Sequence, residues 1–150
     1  MPKNFNELET KCRKNSNKKK LAVVAADSEI TLKAVKKAYQ ENLIFPILIG
    51  NKEEISKRLE IEEIPEEFEI INAEKGREVE VAIDLVHQKC ANAIMKGSIE
   101  TAAFMRSLVR KENGILEAGN LLNHITILEI AGYHKLIGIT DAALLMYPSV

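Results

Sequence analysis

The chain has little of what marks specialised protein classes. Its 150 residues include two cysteines and no tryptophan, 5% are aromatic, and the formal net charge is −1. Two cysteines do not make a disulfide framework, and a near-neutral charge predicts no nucleic-acid partner. No apolar run approaches the roughly 20 residues of a membrane span, and the polar N-terminus is unlike a secretory signal. We therefore predict a cytoplasmic protein with neither a nucleic-acid nor a membrane partner.

The cysteines and histidines show no catalytic or metal-binding pattern. Cys12 shares a helical face with Phe5 and Leu8, and Cys90 closes a long helical pattern. Both are interpreted as packing residues rather than nucleophiles. The three histidines lack the clustered spacing of metal ligands, so no metal site is predicted.

What the chain does contain is an ordinary globular composition, with 46% apolar and 29% charged residues. Apolar strand patterns alternate with amphipathic helix patterns through its first part, which predicts a parallel sheet. The predicted strands are 21–26, 45–49, 68–71 and 91–95, and the predicted helices are 4–14, 30–42, a short one holding Ile55 and Leu59, 74–89 and 99–110. Asp27 or Ser28 is expected to cap the second helix and Asn51 the third.

After Gly119 the pattern changes. Two apolar stretches, 120–130 and 136–140, are separated only by residues 131–135. That gap is too short for a helical crossover, so an antiparallel hairpin is predicted. The fold class is therefore α/β, a three-layer α/β/α arrangement with a mostly parallel sheet plus an antiparallel hairpin.

The stretch from Ala91 to Arg110 combines a strand, a glycine turn and a helix. In this order, the backbone N–H groups of the turn and the positive end of the helix dipole both point toward the space above the turn. Gly97 allows a backbone or an anion to come close, Ser98 can cap the helix, and Lys96 and Thr101 add a charge and a hydroxyl. The pattern predicts a site for phosphate or a phosphorylated molecule. The alternative is an ordinary strand-to-helix turn of an α/β protein.

Arg106 interrupts the predicted apolar face of this helix. That face consists of Ile99, Ala102, Ala103, Leu108 and Val109. Arg106 either contacts a ligand or forms an ion pair with a carboxylate such as Glu78 or Glu129.

His124 and Asp141 lie at the ends of the two hairpin strands. They are either a polar pair that faces a cleft, or a strand-end hydrogen bond with Asp141 capping a following helix. Beyond Asp141, residues 142–150 are mostly apolar, so a partner subunit or a second half is expected to cover them, and a homo-oligomer is predicted.

Several runs resemble the phosphate acetyl/butyryltransferase family, and within it the phosphate butyryltransferase branch. AVVAADSEITLKAVKKA followed by FPILIG is similar to the family's opening strand–helix–strand. AIMKGSIETAAFMRSLV is similar to its phosphate-side turn, and NHITILEI with GYHKLIGITDAA to its hairpin and aspartate loop. The resemblance covers essentially the whole chain, although Asn123 stands where the family commonly has serine.

The resemblance implies a domain like the first domain of isocitrate and isopropylmalate dehydrogenases. Residues 1–150 would be the N-terminal domain of a two-domain phosphate acyltransferase whose second domain is absent from this chain. The implied substrate-binding residues are Lys96, Gly97, Ser98, Thr101, Arg106, Asn123, His124 and Asp141. The catalytic residues are expected in the absent half, so this fragment alone is predicted to be inactive.

The implied reaction converts acyl-CoA and phosphate into an acyl phosphate and CoA. Coenzyme A is then a substrate, and no tightly bound cofactor is expected. Two alternatives stay open: a fatty-acyl phosphate synthase-like domain, and a non-catalytic small-molecule-binding or assembly module from a truncated gene.

Overall fold

Strands and helices alternate along most of the chain. The computed structural model describes residues 2–14, 18–64, 68–116 and 119–141. The elements are α1 (Phe5–Lys14), β1 (Lys19–Val24), α2 (Glu29–Gln40), β2 (Ile44–Gly50), α3 (Lys52–Ile61), β3 (Glu69–Asn72), α4 (Glu78–His87), β4 (Ala93–Lys96), α5 (Thr101–Leu108), β5 (Thr126–Leu128) and β6 (Ile137–Ile139). None of the helices described is long and apolar enough to cross a membrane.

The chain divides into two units. Residues 17–117 form one, here called the sheet unit, and residues 1–16 with 118–150 form the other, here called the hairpin unit. The sheet unit contains β1–β4 and α2–α5. The hairpin unit contains α1, β5 and β6.

The four strands of the sheet unit form a parallel sheet in the order β3-β2-β1-β4. Val24, the last residue of β1, is level with Ile49 on one side and Lys96 on the other. The predicted parallel sheet is confirmed, with β1 inside it and β3 at an edge. A strand between two neighbours must be apolar on both faces, as the run LAVVAA is.

Helices cover both faces of this sheet, because alternate strand residues point to opposite sides. Ala22 and Val24 of β1 pack with buried residues of α4 and α5, such as Ile83 and Phe104. Val23 packs on the other face with residues of α2 and α3, such as Leu32. The structure therefore has the three layers expected from the sequence.

Two of the predicted helix caps are confirmed. The Ser28 hydroxyl accepts the backbone N–H of Thr31 at the start of α2. The Asn51 side chain accepts the N–H groups of Glu53 and Glu54 at the start of α3. These bonds satisfy donors that the first helical turn leaves free, and they set where each helix begins.

The prediction that both cysteines are packing residues was wrong. Cys12 and Cys90 are both exposed. The helix of Cys12, α1, has no buried residue. Cys90 lies beyond the end of α4, which ends at His87 rather than Lys89, so the extrapolated helical face does not include it.

The hairpin unit contains the predicted antiparallel pair. Thr126 faces Ile139 and Leu128 faces Ile137, so both strands are shorter than the apolar stretches that predicted them. In the same unit the Glu129 carboxylate accepts the backbone N–H of Phe5 at the start of α1. The apolar segment 142–150 lies outside the described residues.

Candidate functional site

The turn between β4 and α5 is bonded to the end of β1. The Gly97 N–H donates to the Val24 carbonyl oxygen at 2.8 Å, and the Ser98 N–H donates to the Ala25 carbonyl oxygen at 2.9 Å. These two N–H groups are therefore not free for an anion, and the prediction that the Lys96–Ser98 turn offers them was wrong. Their hydrogen bonds to Val24 and Ala25 extend the pairing between β4 and β1 beyond the end of β4.

Gly97 is required for this approach. A Cβ built on it would lie against the Val24 carbonyl oxygen and 2.5 Å from that of Ala25. Ala25 itself adopts a left-handed backbone conformation, with φ of 50°. Such a conformation is costly for a non-glycine residue and persists only where its surroundings hold it. The sequence predicts that either a backbone or an anion comes close to Gly97. In the structure this neighbour is the backbone of Val24 and Ala25.

The Lys96 ammonium group is held over the same turn. Its Nζ donates to the Ile99 carbonyl oxygen at 2.7 Å and to the Gly97 carbonyl oxygen at 3.4 Å. A lysine ammonium has three donors, so one remains after these two bonds. Lys96 is exposed and carries its charge at the carboxyl end of β4.

The N-cap of α5 is Glu100, and the prediction that Ser98 caps this helix was wrong. The helix begins at Thr101, and no side chain caps it, whereas Ser28 and Asn51 cap α2 and α3. Ser98 lies two residues before the N-cap, and its N–H still pairs with the Ala25 carbonyl oxygen at the end of β1. Thr101 is exposed in the first helical turn, where backbone N–H groups lack intrahelical partners.

Arg106 lies on the solvent side of α5, and the predicted apolar face was right only in part, because Ile99 and Leu108 pack against the core. The buried residue of α5 is Phe104, while Ala102 and Val109 are exposed. The buried side of α5 is centred on Phe104, with Met105 and Leu108 beside it against the core. Arg106 makes no ion pair with the described residues of its unit, and the Glu78 carboxylate instead accepts the Gly76 N–H.

His124 and Asp141 are joined in the hairpin unit. The Asp141 carboxylate accepts the backbone N–H of His124 at 3.0 Å. This confirms the strand-end hydrogen bond; the helix that Asp141 was expected to cap lies outside the described residues. The Nδ1 atom of His124 is buried without a partner among the described residues, whereas the neighbouring Asn123 is exposed.

The sequence analysis missed a polar cavity of about 470 Å³ in the sheet unit. It is lined by Asp27, Glu54, Lys57, Arg58 and Ile61. The last four are spaced i, i+3, i+4 and i+7 along α3, so they share one side of that helix. The spacing could have indicated a common surface, but charged residues in a helix ordinarily form its solvated face.

The strand order shows where an α/β sheet of this kind ordinarily binds a ligand. The chain runs from β1 outward to β2 and β3, and then returns to place β4 on the other side of β1. Ligands of open α/β sheets bind beyond the carboxyl ends of the strands where the order reverses, here β1 and β4. Lys96 is the last residue of β4, and Thr101 begins the helix that follows it. Within the described part of the chain, no group of three or more potential metal ligands is found.

Comparisons with known proteins find relatives that match most of this chain. The chain is 37% identical over 152 residues to a phosphate butyryltransferase of Clostridium beijerinckii, covering 99% of this chain and 49% of that protein. It is 36% identical over 134 residues to a phosphate acetyltransferase of Rickettsia typhi, covering 87% of this chain and 38% of that protein. The chain thus spans about half the length of the butyryltransferase relatives it matches. No family model matches it.

Among solved structures, a branched-chain phosphotransacylase from Enterococcus faecalis V583 shares the fold. The TM-score is 0.64 with 19% sequence identity, and the match covers 87% of this chain and 45% of that chain. At this identity the likeness concerns the fold alone.

Proposed function

We propose, because the chain belongs to the phosphate acetyl/butyryltransferase family, that it is the N-terminal domain of a cytoplasmic phosphate acyltransferase and forms one wall of its substrate cleft. The homology over 99% of the chain carries this proposal. In the reaction, a phosphate oxygen attacks the thioester carbonyl of a short-chain acyl-CoA such as butyryl-CoA. The carbon–sulfur bond breaks, and acyl phosphate and the CoA thiol are released.

The proposed phosphate position is the N-terminus of α5. The N–H groups of its first turn are not capped by a side chain, and the helix dipole favours an anion there. The free donor of Lys96 and the hydroxyl of Thr101 add to these groups. The Glu100 carboxylate opposes an anion, but it is exposed and can turn away into water.

Arg106 is the proposed second cation for the substrates. It lies on the exposed side of α5, without an ion-pair partner among the described residues of its unit. A guanidinium group binds phosphate through two parallel hydrogen bonds, so an unpaired arginine suits either inorganic phosphate or the phosphates of CoA.

The hairpin unit is proposed to contribute Asn123, His124 and Asp141 to substrate binding. Asp141 holds the backbone of His124, and this bond fixes the chain beside the exposed Asn123 amide. Asn123 can donate to a phosphate oxygen through its amide in place of the serine common in the family.

The reacting groups themselves are proposed to lie in the part of the family's length that this chain does not span. An enzyme that transfers an acyl group must stabilise the oxyanion that forms at the carbonyl and must provide a proton for the leaving thiolate. We assign neither role to a residue of this chain, and a homo-oligomer of the complete enzyme is part of the proposal.

The phosphate position is tested by titrating the ¹⁵N-labelled 150-residue chain with inorganic phosphate and following its amide NMR signals. We expect saturable shifts centred on Thr101 and Lys96. Lys96→Gln should weaken binding several-fold, since it removes a charge-assisted hydrogen bond. The matched control is Lys75→Gln, because Lys75 is exposed in the loop before α4. Equal affinities of the Lys96 and Lys75 variants, or shifts elsewhere only, would contradict the phosphate position.

A further inference from the structure

The polar cavity beside α3 contains an unsatisfied acceptor. The Oδ1 atom of Asp27 is buried and has no hydrogen-bond partner among the described residues. Buried polar atoms of folded proteins are almost always paired, and an exception calls for a missing donor from a ligand or a bound water. Asp27 lines the cavity, so a molecule within the cavity could provide that donor.

The same cavity contains two unpaired cations. Lys57 and Arg58 of α3 make no ion pair with the described residues, although Lys33 on the adjacent α2 is paired with both Glu29 and Glu62. The Arg58 charge nonetheless contributes to lowering the pKa of Glu29, after the larger effect of Lys33. The Arg58 charge therefore acts electrostatically on Glu29, the first residue of α2, which Ser28 caps directly after Asp27.

The position of these groups is set by local structure. The Asn51 cap fixes the start of α3, and the Ser28 cap fixes the start of α2, immediately after Asp27. Glu54 and Ile61 lie about 10 Å apart along α3, at a rise of about 1.5 Å per residue. The cavity thus has charged groups along α3 and an apolar residue, 61% exposed, toward the end of that helix.

We infer that this cavity binds a nucleotide. Lys57 and Arg58 would hold its phosphate groups, Asp27 would accept a hydrogen bond from a ribose hydroxyl, and the base would cover Ile61. A volume of about 470 Å³ lies within the range of small-molecule sites. Inorganic phosphate alone would leave Asp27 unpaired and Ile61 uncovered. The cavity therefore suits a ligand with both anionic and hydrogen-donating parts.

The choice of an adenine nucleotide rests on the proposed function, because coenzyme A carries an adenosine 3′,5′-bisphosphate unit. The cavity groups are distinct from Lys96, Thr101 and Arg106. Binding of the nucleotide unit can therefore be measured without acyl transfer, and the two proposals can fail separately.

The test is isothermal titration of the 150-residue chain with adenosine 3′,5′-bisphosphate, which has neither thiol nor acyl group. We expect saturable binding at one site, weakened about tenfold or more by the double substitution Lys57→Gln with Arg58→Gln. Asp27→Ala should weaken it several-fold. The matched control is Lys37→Gln, which removes an exposed charge from α2 outside the cavity.

Thermal unfolding of each variant separates binding from folding. Asp27→Ala should not lower the melting temperature, because it removes a buried acceptor that has no partner in the protein. Absence of nucleotide binding to the folded chain would overturn the inference. So would nucleotide binding that persists in both cavity variants, or a large loss of thermal stability in Asp27→Ala with unchanged affinity, which would make Asp27 structural.

Discussion

At Gly97 the polypeptide passes so close to the end of β1 that no side chain fits between them. The sequence identified this glycine as a point of close approach, but two neighbours were possible there, a backbone and an anion. The deciding fact is the pair of hydrogen bonds from Gly97 and Ser98 to Val24 and Ala25. Those partners are more than 70 residues apart along the chain, so local spacing could not reveal them.

Gly97→Ala should therefore destabilise the sheet unit. The added methyl group meets two carbonyl oxygens, so the turn must move and its hydrogen bonds to β1 must lengthen or break. We expect the free energy of unfolding to fall by about 2–3 kcal/mol, measured by urea denaturation.

Gly138→Ala is the matched control for this substitution. A Cβ there meets the Ile127 side chain at an ordinary 3.5 Å, and the expected change is within about 0.5 kcal/mol. A Gly97→Ala protein as stable as the Gly138→Ala protein would mean that the turn does not lie against β1.

At the scale of elements, strands and helices were predicted well and their ends less well. The runs LAVVAA and FPILI are apolar throughout, as inner parallel strands must be, and both are strands of the sheet. The predicted helix over 99–110 begins instead at Thr101. Its buried side is centred on Phe104, and Arg106 lies about 200° around the helix from Phe104, because each residue turns a helix by about 100°.

The adjacent helices α2 and α3 are linked by an ion-pair network centred on Lys33. Hydrogen bonds from Lys33 lower the pKa of Glu29, and those to Glu29 and Glu62 raise the pKa of Lys33. The Glu29 contribution to stability is present above the ordinary carboxyl pKa of 4.5 and is lost as pH falls through the lowered value. The Lys33 contribution is present below 10.5 and is lost as pH rises through the raised value.

Lys33→Met should accordingly lower the free energy of unfolding at neutral pH. In acid the substitution should have little effect. The measurement is urea denaturation of the variant and the unaltered chain at pH 7 and at about pH 3. We expect the difference between their free energies of unfolding to shrink at the lower pH, because Glu29 becomes protonated. Lys37→Met, which removes an exposed lysine from the same helix, should show little difference at either pH. A Lys33→Met effect that is the same at both values would show that the network contributes nothing.

At the scale of the whole molecule, the chain has the fold of a phosphotransacylase and about half the length of its butyryltransferase relatives. The family could be recognised from ordered motifs because they span nearly every element of the chain. The cavity beside α3 could not be recognised, because its groups become neighbours only when Asp27 and α3 meet in the folded protein. A helix of glutamates, lysines and isoleucines has the same local pattern whether or not a ligand covers it.

The central claim is that this chain forms one wall of a phosphate acyltransferase, and joining it to the missing wall tests that claim most directly. The measurement is release of the CoA thiol from butyryl-CoA, with and without inorganic phosphate, by this chain fused to the second half of a phosphate butyryltransferase relative. We predict phosphate-dependent release by the folded fusion, none by the 150-residue chain alone, and a loss of about tenfold or more with Lys96→Gln or Arg106→Gln. A folded fusion that releases no thiol in response to phosphate, or equal release by the 150-residue chain alone, would contradict the account.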